Sequence, residues 1–341
     1  MWGALFLVAA GWFATVAGAA SSTLPSVPYS LRSAHVALVI NLDDPQSVAA
    51  GEQYRSLRRI PARNVVRVRI PGRPQRMTAD AFARLKQDID SQLNAQIQVV
   101  LMAWTAPFAV ECNAITAAYT LGFDAAQCAN TCAPGRPNPL FDSPVVRPYT
   151  DAGVRLSMLL PSEPAGLARA LAERGSRSDY SSPVATAYFV TTSDPHRNTR
   201  AAFFPLPGVL PRPRTLIRTP KADRADPATD VMFYLTGQAH VAGLENLRFL
   251  PGALADHLTS AGGVLVGSTQ MSSLRWLEAG ATATYGAVSE PCNYWQKFPH
   301  PMVLLKHYLH GASAIEAYWK SVAWPAQGVF VGEPLASPYR R

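Results

Sequence analysis

Strand-length apolar runs alternate with helix-period segments along nearly the whole chain, and few folds accept that alternation. His35 opens the run HVALVIN, which ends in Asn41-Leu42-Asp43-Asp44-Pro45. An Asp-Pro start leads into SVAAGEQYRSLRR at helical spacing, and Ile60-Pro61 stops it. NVVRVRI reads as the next strand. Thr78 then opens ADAFARLKQDIDSQL, whose Phe82, Leu85, Ile89 and Leu93 recur at the spacing of a buried helix face. IQVVLMAW is a third strand. Strands and helices in strict alternation, joined by short connections, predict a parallel, doubly wound sheet. With no glycine-rich loop beside them, Asp43 and Asp44 are expected to cap the following helix and not to hold a nucleotide.

The pattern breaks over 105–150, which holds three cysteines and the Pro-rich stretch APGRPNPLFDSP, and is read as an insertion. It resumes with RLSMLLP, the helix EPAGLARALAERG, the strand VATAYFVTT and the segment HRNTRAAF, capped by Ser193-Asp194-Pro195. A Pro- and Arg-rich connector is placed at 205–228. Beyond it, VMFYLTG is expected as a strand, PGALADHLTSAG as a helix, VLVGS as a strand, SSLRWLEAG as a helix and TATYGAV as a strand. The helices HPMVLLKHYLHG and SAIEAYWKSV and the closing strand GVFVG complete the chain. The fold class is therefore α/β, a three-layer sandwich on a mostly parallel sheet with a cysteine-bearing insertion. It forms either one continuous sheet or two halves, 21–204 and 229–341, joined through 205–228.

Residues 2–20 carry no charge and end in Ala17-Gly18-Ala19, the small-x-small pattern of a signal-peptide cleavage site. The expectation is a signal peptide over 1–20 and an exported chain, periplasmic or extracellular, with no integral membrane domain. The run lacks a basic flank, so an uncleaved anchor stays open as the alternative. Export gives meaning to Cys112, Cys128, Cys132 and Cys292, an even set for which disulfides are the default. A zinc site and a free catalytic thiol at Cys292 are the rival readings. The net charge of +8 comes with Arg58, Arg59, Arg63, Arg67, Arg69, Arg73 and Arg76 crowded into one segment. No aromatic stacking pattern or nucleic-acid module accompanies them, so they read as a solvated face and no nucleic-acid partner is expected.

From His35 to Pro338 the chain resembles an uncharacterised family of exported bacterial proteins. The likeness rests on Asn41-Leu42-Asp43-Asp44-Pro45-Gln46-Ser47, Tyr54, Arg58 and Ile60-Pro61-x-x-Asn64. It continues through Glu173-Arg174-Gly175, Asp179, Pro183, Thr191-x-Ser193-Asp194 and Ala255-Asp256-His257-Leu258-Thr259-Ser260. Gly280-Ala281-Thr282, Glu290-Pro291-Cys292 and Gly332-Glu333-Pro334 close it. The resemblance implies a C-terminal half related to the caspase-like, gingipain-type peptidase fold. That fold places a His after one strand and a Cys after the next, so that the imidazole activates a thiolate. His240 follows VMFYLTG, but GGVLVGS ends in Ser268 with no cysteine, so the dyad is not reproduced.

Candidate catalytic residues are His240, Ser268 and Cys292, with His257 as an alternative base or a packing histidine. Candidate binding residues are Gln270, Glu290, Asn293, Tyr294, Trp295 and Glu333, expected to share the C-terminal rim of the sheet as one pocket. His307 and His310 stand three apart, but with no third ligand in sequence no metal is expected, and no cofactor. Three functions follow. The first is a non-catalytic envelope protein binding a peptide, a glycan or another envelope protein on a degenerate peptidase scaffold. The second is a cysteine or serine hydrolase using Cys292 or Ser268 with His240 or His257. The third is a structural secretion or assembly factor.

Overall fold

The run VALVIN is buried at every position, as only a strand with layers on both faces can be, and it sits near one end of a large sheet. The computed structural model describes residues 28–29 and 31–341; the expected signal peptide lies outside them. Strand β1 (Val36–Asn41) leads into helix α1 (Pro45–Leu57), which starts as expected: the Asp44 carboxylate accepts from the Gln46 N–H, and Pro45 opens the first turn. Asp43 instead pairs with Arg69 at 2.5 Å. Strand β2 (Val65–Val68), the short β3 (Arg76–Met77), helix α2 (Ala79–Ser91) and strand β4 (Val99–Met102) follow. Thr78 caps α2, which buries Phe82, Leu85 and Ile89.

The insertion carries β5 (Ala109–Val110), β6 (Asn113–Ala114), α3 (Ile115–Leu121), α4 (Ala125–Ala129) and α5 (Pro148–Ala152). After it come β7 (Leu156–Leu159), α6 (Leu167–Ser178) and β8 (Ala185–Phe189). The segment 205–228, read from sequence as a connector, in fact holds a hairpin, β9 (Gly208–Pro211) and β10 (Arg214–Arg218). The last third runs β11 (Ala228–Thr236), β12 (Leu247–His257), α7 (Leu274–Ala279) and β13 (Ala283–Ala287). It ends with α8 (Pro301–Leu309), α9 (Ala314–Ser321) and β14 (Gly328–Gly332).

Eleven strands make one sheet in the order β2-β1-β4-β7-β14-β13-β12-β11-β8-β10-β9. Every neighbouring pair is parallel except β13 with β14 and β9 with β10. Strand β14, from the end of the chain, lies between β7 and β13 and joins the early strands to the late ones. The late strands in turn surround β8, which pairs with both β10 and β11. The sheet is continuous.

Helices cover both faces. On one, α1 packs on α6, and α6 reaches α7 through Arg174, whose guanidinium donates to the Leu277 and Ala281 carbonyls. On the other, α3 lies on β7 and β14, α8 packs beside α9, and Tyr308 of α8 meets Phe233 edge-on at 5.6 Å. Among the described residues no helix is long and apolar enough to cross a membrane.

Two segments differ from the sequence expectation. PGALADH is the inner part of β12 and not a helix, and the VLVGS run is a loop and not a strand. Short Ala/Leu runs fit a buried helix and a buried strand equally well by periodicity. Here the slot between β11 and β13 decides, and seven consecutive residues from Gly252 to Leu258 are buried. Pro251 and Gly252 fall within a bulge, where the register with β11 jumps from Val231↔Phe249 to Phe233↔Leu254, so the missing proline N–H breaks no ladder. With β12 and β13 already adjacent, no place is left for VLVGS in the sheet.

Candidate functional site

The C-terminal ends of β11, β12 and β13 share one rim, and the polar groups there are mostly tied to one another. Asp256, at the end of β12, is fully buried against Arg200. The same guanidinium donates to the Thr236 carbonyl at 2.7 Å. Burial pushes the Asp256 carboxyl up and Arg200 holds it down. His257 is not mid-helix: it ends β12, buried. Trp276 Nε1–H donates to its Nδ1 at 2.9 Å, so its proton sits on Nε2 and reaches the Met271 carbonyl at 3.0 Å. Burial pulls its pKa down to about 3. His257 is a neutral packing residue with both nitrogens occupied.

Ser268 and Gln270 lie in the loop after β12. Gln270 Oε1 accepts from the Thr259 hydroxyl and from the Ala261 N–H, both at 2.8 Å. Ser268 Oγ accepts from the Gln270 N–H at 3.1 Å and donates to the Ala261 carbonyl at 3.3 Å. These groups hold the loop closed. His240 is exposed, and among the described residues it makes no hydrogen bond to Ser268 or Cys292. Cys292 bonds to Cys132 and Cys112 to Cys128, so no thiol is free among the described residues. That removes Cys292 as a nucleophile and the zinc alternative with it.

The residues after β13 form a second patch on the same rim. The Glu290 side chain accepts from the Cys292 N–H at 2.8 Å, and Asn293 is exposed. Tyr294 leans on Trp324 at 5.5 Å, with the Lys297 ammonium 5.3 Å from its ring. Lys297 donates to the Thr131 carbonyl at 2.7 Å, and burial pulls its pKa down to about 8. Trp295 packs on Phe203 at 4.7 Å and on His300 at 5.3 Å.

Glu333 does not belong to this rim. Because β14 runs antiparallel to β13, Gly332 pairs with Ala283 and Glu333 emerges beside the start of β13, at the opposite edge. It is wholly buried. Tyr54 Oη donates to it at 2.6 Å and Arg58 Nε lies 3.1 Å away, while Arg58 Nη1 reaches Asp179 at 2.7 Å. Burial raises the Glu333 carboxyl, with Arg58 and the Tyr54 hydrogen bond opposing. Gly175 leaves it space: a Cβ there would lie 2.2 Å from Glu333 Oε2. Tyr54, Arg58, Gly175, Asp179 and Glu333 are thus one buried knot joining α1, α6 and the end of β14. The expected single pocket is not formed.

A wide groove lies elsewhere, on the sheet face shared with α7. The α1, α6 and α7 layer ends at Trp276, which packs on Tyr234 at 5.4 Å, and Tyr234 stacks on Tyr188 at 5.9 Å. Beyond these rings Tyr188, Leu216 and Arg218 project from β8 and β10 to line an open groove of about 880 Å³. Arg224 and Asp226 stand on its far wall. Burial raises the Tyr188 phenol, with Asp230 adding and Arg218 opposing, so the hydroxyl stays a donor. The sequence reading missed this site because it took 205–228 as a connector. The signal was present: RTLIR alternates outward Arg214, Leu216 and Arg218 with buried Thr215 and Ile217. Among the described residues no group of three or more His, Cys, Asp or Glu side chains is placed to hold a metal ion. Comparison with known protein families, with curated proteins and with solved structures returned no match to this chain.

Proposed function

We propose that this chain is an exported, non-catalytic binding protein on a degenerate peptidase-like scaffold. The observation that carries the reading is His257. In the caspase-like arrangement the thiol follows the strand after the His-bearing one, and here that strand is β12. The nucleophile's place falls at Leu258-Thr259-Ser260, where there is no cysteine, and the adjacent imidazole is neutral with both nitrogens bonded. The Thr259 hydroxyl is bound to Gln270 Oε1 and receives Arg197 Nε–H at 3.1 Å. Among the described residues the Thr259 hydroxyl has no hydrogen bond to a histidine or a carboxylate that could take its proton. Two disulfides that use all four cysteines support an oxidising compartment, and so export to the periplasm or medium. An open groove with a stacked aromatic pair, lined by both polar and apolar side chains, supports ligand binding.

The test is turnover. Purified unreduced protein, incubated with fluorogenic peptide and ester libraries, is expected to hydrolyse none, and thiol-directed probes are expected to label nothing. Turnover abolished by His240→Ala or Ser268→Ala would return the hydrolase reading to first place.

A further inference from the structure

We propose that the groove over β8, β10 and β11 binds an acidic polysaccharide, taking uronate sugars on the Tyr188 face with their carboxylates on Arg218 and Arg224. This deepens the binding reading above and rests on it.

Both guanidiniums are exposed, and among the described residues neither pairs with a carboxylate. The groove's lining therefore carries two guanidiniums and one carboxylate, Asp226, with Asp230 beside Tyr188 already held by the Thr186 hydroxyl. A planar guanidinium fork matches a carboxylate's two oxygens, and such charge-assisted pairs are stronger than neutral hydrogen bonds. Beside Arg218, two residues back along β10, lies an apolar surface. Leu216 and Val209 are paired across β9 and β10, and Val209 is 60% exposed. Tyr188 continues that surface, with its inner side fixed by Tyr234 and its outer side toward the groove.

The far wall is held in place by the chain itself. The Thr191 N–H donates to the Pro220 carbonyl and the Ala222 N–H to the Thr191 carbonyl, each at 3.0 Å, while the Ala225 N–H reaches the Ala242 carbonyl at 2.8 Å. The groove is preformed, so little ordering entropy is lost when it fills.

The floor argues against the other polymers. An extended peptide gains most of its affinity by adding a strand to a free edge. Here β8, β10 and β11, which make the floor, each have a strand on both sides, and the sheet's free edge at β9 lies at the groove's rim and not under it. Nucleic acid offers its backbone as acceptors only and wants a fully presented ring for stacking. Tyr188 is half-buried and Asp226 is an acceptor that phosphates would oppose. A sugar acid has what the groove lacks: hydroxyl donors for Asp226, carboxylates for Arg218 and Arg224, and a ring face for Tyr188.

Calorimetric titration of the full chain with oligogalacturonate and with oligoguluronate tests the proposal. Cello-oligosaccharide, hexaglutamate and oligothymidylate of matched length serve as comparators. Saturable binding of at least one uronate is expected, weakened on the order of tenfold or more in Arg218→Ala/Arg224→Ala and by added salt, with a further loss in Tyr188→Ala. Arg218 and Arg224 are exposed and Tyr188 is half-buried, and unchanged melting temperatures would show that the variants fold. No binding of either uronate overturns the proposal. So does uronate binding that the double variant leaves unchanged, or tighter binding of hexaglutamate or oligothymidylate. None of those results touches the non-catalytic reading, which the turnover assay alone decides.

Discussion

Tyr29, His307 and Asp142 show at the scale of single residues how much of this protein's polar chemistry is structural. Tyr29 Oη donates to His307 Nδ1 at 2.5 Å, and His307 Nε2 reaches Asp142 at 2.8 Å. Burial pulls His307 down to about 4 from 6.5, Asp142 opposes, and the ammoniums of Lys306 and Lys320 reinforce the fall. His257 is lower still, at about 3. Both histidines are neutral in the fold and protonate near 6.5 when unfolded. Their contribution to stability is complete above that pH and drains away as the pH falls toward 4, by up to about 1.4 kcal/mol per unit for each. The carboxyls of Asp256, Glu316 and Glu333, raised by burial, act in the opposite direction. A variant therefore separates the histidine's share. Urea unfolding at pH 7, 5.5 and 4.5 should show His307→Asn less stable than the native chain at pH 7, with the gap narrowing on acidification. A gap independent of pH would show that His307 is not held neutral. The same residues explain why the candidate site was half legible. Sequence marked His257 and Glu333 as chemically capable, yet their hydrogen-bond partners Trp276 and Tyr54 come from other elements, and spacing does not reveal them.

At the scale of elements, the two disulfides divide their work by loop length. Cys112–Cys128 spans 16 residues within the insertion, whereas Cys132–Cys292 spans 160 and ties the insertion to the loop after β13. Loop-closure entropy in the unfolded chain makes the longer link worth about 5 kcal/mol and the shorter about 3. Cys132→Ser/Cys292→Ser should accordingly melt below Cys112→Ser/Cys128→Ser under non-reducing conditions. Equal losses, or the reverse order, would mean that native packing and not chain entropy governs the insertion. The element scale also holds the clearest contrast in legibility. Helix α1 announced itself through Asp44 and Pro45, and α2 through Thr78 and its apolar stripe, because caps and amphipathic faces are local. Strand β12 did not, since an Ala/Leu run takes its conformation from the gap it fills between β11 and β13.

At the scale of the whole molecule, the sheet order removes any independence of the two ends of the chain. Strand β14 lies among early and late strands, and β8 is hydrogen-bonded to β10 and β11, with no pairing to the early strands. A fragment of residues 229–341 would lose β8 beside β11 and β7 beside β14, exposing two edges in the middle of the sheet. Expressed alone, it is expected to aggregate or remain unfolded, while the intact chain melts in one calorimetric transition. A soluble, cooperatively folding fragment would refute this.

The sequence by itself determined the α/β class, most of the strands, the capped helices and the even cysteine set, because periodicity, caps and composition act over a few residues. Only the tertiary structure decided which cysteines pair, that 205–228 enters the sheet, that Glu333 leaves the rim, and that a wide groove opens over Tyr188 and Arg218. Each of those depends on strand order. Strand β14, antiparallel to β13, carries Glu333 to the far edge, and one hairpin, β9–β10, extends the sheet beyond β8. Strand order is fixed by long-range packing between segments that no local pattern connects.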